Sequence, residues 1–107
     1  MKLTHNLLLL ISKIFTLSRM KVLTLVTYCA NGSELRQKFR IEHQNYNRKL
    51  KMDGNLVMAG SDTDYSISVR VYEAENLQTV EKIIELDPYF TNAIWTDFTL
   101  YPFNQVY

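Results

Sequence analysis

Residues 55–72, NLVMAGSDTDYSISVRVY, decide the fold. A short apolar run, Asn55 to Ala59, meets the turn Gly60-Ser61-Asp62-Thr63-Asp64. The chain then continues as Tyr65 to Tyr72 with clean alternation. Ile67, Val69 and Val71 fall on one side, and Ser66, Ser68 and Arg70 on the other. A period of two with β-branched residues is the mark of a strand, and the turn makes the two runs a hairpin.

Working outward, each side of the hairpin reads first as helix and then as strand. Upstream, Leu35 to Met52 is helical and ends at Asp53-Gly54, a C-cap pair. Asn31-Gly32 separates it from Val22 to Tyr28, a β-branched strand beginning at Lys21. Downstream, Asn76 caps a helix over Leu77 to Leu86, which Pro88 stops, and a last strand runs from about Ile94 to Tyr101. The order is β-α-β-β-α-β, with no linker or repeat. This predicts one α+β domain of ferredoxin-like type, a four-stranded antiparallel sheet with two helices on one face.

The other sheet face is expected to carry Thr24, Val26 and Tyr28 beside Ser66, Ser68, Arg70 and Tyr72. If Ile94, Phe98 and Leu100 face the helices, then Trp95, Thr99, Tyr101 and Phe103 join that second face. Such a face is too aromatic to leave in water, so a homodimer through the sheet face is expected.

The first twenty residues are of another kind. Lys2, Lys13, Arg19 and Lys21 are basic, and no acid precedes Glu34. The apolar run Leu7 to Leu17 is about half the length that crosses a bilayer, and Ser18-Arg19-Met20 makes a poor cleavage site. Residues 1–19 therefore read as an extension upstream of a natural start at Met20, with the domain occupying 20–107.

The 107 residues are 47% hydrophobic, which argues for a folded domain. Twelve basic residues against 11 acidic ones give no electrostatic case for nucleic acid, and no membrane span is expected. One cysteine, Cys29, and two histidines leave no disulfide and no metal-ligand spacing. No metal or cofactor is expected, and a reducing, cytoplasmic setting fits best.

On the first helix Leu35, Phe39, Tyr46 and Leu50 form the stripe that packs on the sheet, and His43 falls on it. On the second helix Leu77, Val80 and Ile84 do the same, and Asp87 lies three residues beyond Ile84. Each helix thus turns one titratable group inward. A histidine on an apolar stripe is more often a satisfied core residue than a catalyst, and Asp-Pro often bonds local amides. An aspartate at a helix C-terminus is nonetheless opposed by the macrodipole and calls for a partner. An imidazole held by a carboxylate has the fixed tautomer that acid–base chemistry uses. Geometry imposes a condition. With antiparallel helices, a helix continuous from Ser33 would put His43 about 15 Å from the end where Asp87 lies. The two meet only if the regular helix starts near Arg40.

Arg40-x-x-His43, Gly54-x-Leu56-Val57, Ala59-Gly60, Asp87-Pro88-Tyr89 and Pro102-Phe103 before Val106-Tyr107, in this order, resemble the YciI-like (YCII-related) family of dimeric α/β-barrel proteins. The resemblance covers roughly Met20 to Tyr107. It implies a helix beginning close to Arg40, a dimer packed through the sheets, and an active-site pair that carries over onto His43 and Asp87. Ser61 stands where many relatives have proline, and Thr91-Asn92-Ala93 stands where many have Ala-Gly. Against the family pattern, both departures bear on the pocket rim and leave the pair itself in place.

Two functions follow. In the first, an acid–base enzyme of lyase or isomerase type acts on a small organic acid. His43 transfers the proton, Asp87 orients it, and Arg40 and Tyr89 contact substrate. The alternative is a non-catalytic dimeric module that binds a small molecule or a protein, with the His–Asp pair structural. The sequence contains no nucleotide-binding glycine loop and no nucleophile motif.

Overall fold

Three stretches rich in β-branched and aromatic residues and one short apolar run form strands in the structure, a computed structural model that describes residues 19–107. The expected extension therefore lies, apart from Arg19, outside the described residues. The elements are β1 (Met20–Tyr28), α1 (Gly32–Leu35), a 3₁₀ turn (Arg36–Phe39), α2 (Arg40–Met52), β2 (Leu56–Ser61), β3 (Ile67–Ala74), α3 (Leu77–Glu85), α4 (Pro88–Thr91) and β4 (Trp95–Phe103). The strands pair antiparallel in the order β2-β3-β1-β4. This is the α+β, ferredoxin-like arrangement read from the sequence.

Local chemistry sets the helix ends. Gly54 follows α2 with φ +78°, a conformation that costs a residue with a Cβ. The Asn76 side chain accepts from the Thr79 amide at 2.8 Å and starts α3. Asp87 does the same for α4, with Pro88 in the first helical position, where no amide is needed. The Tyr46 hydroxyl donates to the Ile83 carbonyl at 2.7 Å and ties α2 to α3.

The alternation in the strands is as read, but the faces of β1 and β3 are the reverse of those expected. Val22 pairs with Tyr72, Thr24 with Arg70 and Val26 with Ser68. All six are buried, on the side that packs against Val80 and Ile84 of α3. Thr24, Val26, Tyr28, Ser68, Arg70 and Tyr72 thus face the helices, and Ser66 precedes β3 in the turn. Trp95 also belongs to the core, because a register shift after Thr27 sets Tyr28 opposite Trp95. Phe98 and Leu100 pack on the core as expected.

The outer face carries Leu23, Leu25, Ile67, Val69, Val71, Thr99, Tyr101 and Phe103 instead. Burial is tolerable for Arg70 and Ser68 because each finds a partner inside, Arg70 in Asn47 of α2 and Ser68 in the Gly60 carbonyl. Each apolar side chain fully buried beneath the helices contributes roughly 1.5–3 kcal/mol.

Candidate active site

The 3₁₀ turn is what brings the two titratable groups together. It breaks the helical path at Phe39 (φ −122°) and restarts it at Arg40. His43 therefore sits in the first turn of α2, at the end of the layer where α3 stops and Asp87 begins α4. The condition set by the antiparallel helices is met.

His43 Nδ1 lies 2.7 Å from Asp87 Oδ1. The same oxygen accepts the Tyr89 amide at 2.9 Å. His43 is 7% exposed and Asp87 is fully buried. A bond this short between buried partners is charge-assisted and among the stronger kinds. The Tyr89 ring stacks on the imidazole with centroids 3.7 Å apart and planes 10° from parallel. Trp95 meets the imidazole at its edge, 5.2 Å away with planes near perpendicular, and also lies 5.7 Å from the Tyr89 ring. The ring is thereby held in one plane.

Nε2 points the other way, 3.2 Å from Asn47 Nδ2. Beyond it, Arg70 is 2% exposed, between the rings of Tyr72 and Trp95. Its Nε donates to the Tyr72 hydroxyl and its Nη2 to Asn47 Oδ1, both at 2.5 Å. Asn47 and Arg70 were not singled out as site residues from the sequence. Asn47 is four residues after His43, which puts it on the same side of α2 and was the one available signal. For Arg70 the inverted face removed the signal.

His43, Asn47, Arg70 and Tyr89 border a cavity of about 200 Å³, below the ~300–1,000 Å³ of common ligand pockets. Arg36 and Arg40 border it too, Arg40 exposed at the rim and Arg36 stacked 3.7 Å over the Tyr65 ring. Three guanidiniums line this space, and no Asp or Glu does. Burial pushes the hydroxyls of Tyr28 and Tyr89 above their usual pKa, so both remain protonated donors at neutral pH. A larger hollow of about 420 Å³, between Arg19–Lys21 and Pro102–Gln105, has no histidine and no acid in its lining. Among the described residues, no cluster of three or more His, Cys, Asp or Glu side chains could hold a metal ion. No described helix is long and apolar enough to cross a membrane.

The YCII-related domain model matches residues 20–104. The chain belongs to that family. A YCII-related domain is thus built over the stretch where the motifs were read. A solved structure of 5-chloro-2-hydroxyhydroquinone dehydrochlorinase from Burkholderia phenoliruptrix, in complex with 2,5-dihydroxybenzoquinone, has the same fold. It matches with a TM-score of 0.69 at 19% identity, covering 79% of this chain and 94% of that one. No curated protein matches the chain.

Proposed function

We propose that this YCII-related protein is an acid–base enzyme of lyase or isomerase type acting on a small organic acid. One observation carries the reading. An imidazole fixed by a buried carboxylate borders a small cavity lined by arginines and by no acid. His43 takes a proton from a carbon next to the substrate's carboxyl or carbonyl group. The electron pair left behind either accepts a proton at a neighbouring carbon or expels a leaving group from it. Asp87 holds the ring and stabilises the imidazolium that forms. Arg40 at the rim, with Arg36 and Arg70, draws in the anion, and Tyr89 forms the wall against which it packs. The dehydrochlorinase of like fold, in complex with 2,5-dihydroxybenzoquinone, supports a reaction of this type.

A screen of small carboxylic and phenolic acids by thermal shift tests the reading, followed by turnover assays on the hits. His43→Ala is expected to keep the far-UV circular dichroism of the wild type and to lose turnover. Full turnover in that variant would refute the mechanism. Collapse of the fold would instead support the second reading, a binding module with a structural pair, which the stacking and low exposure of His43 favour.

We extend the proposal to a homodimer through the outer sheet face, where Ile67, Tyr101 and Phe103 are 40%, 49% and 38% exposed. A monomer by analytical ultracentrifugation would overturn it. A cytoplasmic setting is proposed on the single, unpaired Cys29.

A further inference from the structure

The amide of Asn47 stands between two groups that leave it only one orientation. Arg70 is buried and can only donate. The Asn47 atom 2.5 Å from its Nη2 must therefore be the carbonyl oxygen. That turns the amide nitrogen toward His43 Nε2, 3.2 Å away. An amide nitrogen also only donates, so Nε2 must offer a lone pair. On the far side Asp87 Oδ1 accepts, which puts the ring's proton on Nδ1. Arg70, Asn47 and Asp87 thus agree on a single state of the imidazole.

Asp87 alone would not fix that state. A buried carboxylate also welcomes a doubly protonated ring, which would set an Nε2–H against the N–H of Asn47. We propose that Arg70, acting through Asn47, is a positioning residue that keeps the lone pair on His43 Nε2. Every charged group around the ring is consistent with this. Asp87 of α4 is the one anion, while Arg36 of the 3₁₀ turn, Arg40 of α2 and Arg70 of β3 are cations. Tyr28, Tyr46, Tyr72 and Tyr89 are neutral, each pushed up chiefly by burial. At 3.2 Å the Asn47 contact is long for a hydrogen bond, so an entering acid can displace it and meet the free pair. This use of the lone pair rests on the proposed acid–base function. The ring state itself does not.

The test is nitrogen NMR of ring-labelled histidine in the substrate-free protein at neutral pH, with the His43 signals assigned by their loss in His43→Gln. The wild-type ring is expected to carry one proton, on Nδ1. Asn47→Asp pairs with Arg70 and offers Nε2 only acceptors, so the doubly protonated ring becomes the major species. Arg70→Met frees the amide to rotate and moves the ring the same way, whereas Arg70→Lys, still a donor, restores the wild-type signals. A wild-type proton on Nε2, or a singly protonated ring in Asn47→Asp, would overturn the inference. Because no substrate is present, the outcome is separate from the turnover assays. An inactive protein with the expected ring state refutes the enzyme alone.

Discussion

Removing the Asp87 carboxylate is the sharpest perturbation of the His43–Asp87 unit. In Asp87→Ala two buried donors lose their acceptor, the His43 Nδ1–H and the Tyr89 amide. Moving the ring's proton to Nε2 does not help, since the Asn47 amide meets it there. Each stranded donor costs about 1–3 kcal/mol, so about 2–6 kcal/mol for the two. For a domain of this size 1 kcal/mol moves Tm by about 4–8 °C, so Asp87→Ala should melt at least ~8 °C below wild type. Asp87→Asn keeps an acceptor for both donors and remains a good helix cap. It does place an NH₂ where the carboxylate's second oxygen is buried without a partner among the described residues, so it should cost about 1–3 kcal/mol. Urea unfolding followed by circular dichroism gives both values. If Asp87→Ala falls within about 1 kcal/mol of wild type, or Asp87→Asn costs as much as Asp87→Ala, the carboxylate is not what holds the ring.

Other outcomes follow from particular contacts. A Cβ on Gly32 would lie 2.8 Å from Tyr28 Cβ, and Tyr28 lines the cavity. Gly32→Ala should therefore lower stability by about 1–3 kcal/mol and weaken any thermal-shift hit, both read in one melting series. Asn76→Ala removes the cap of α3 and should cost about 1 kcal/mol in urea, with Asn76→Asp close to wild type. The hydroxyls of Tyr46 and Tyr72 are pushed up to about 12, chiefly by burial, against about 10 in an unfolded chain. With the folded pKa raised, their contribution to stability is whole below about pH 10 and is lost as pH rises through about 12. Urea midpoints taken across that window should fall, and a flat profile would contradict the burial.

The sequence by itself determined the elements and their order. Period-two alternation in Ile67–Val71, the stripe through Phe39, His43, Tyr46 and Leu50, and the stops at Gly54 and Pro88 are local properties of the chain. They placed His43 and Asp87 on inward-facing positions, and they exposed the condition under which the two could meet. Alternation, however, says which side chains share a face and never which face the helices will cover. Ile67, Val69 and Val71 looked like core, yet Ser68, Arg70 and Tyr72 lie inside. Only the packed layer decided this, because the partner that satisfies Arg70 comes from α2, 23 residues away in sequence. The same holds for Trp95, which a register shift between strands turns inward. The restart of the helix at Arg40, implied by the family resemblance, depends on backbone angles around Phe39 that no residue pattern dictates. Elements are set by interactions between near neighbours, whereas the site is set by distant groups competing for the same buried hydrogen bonds.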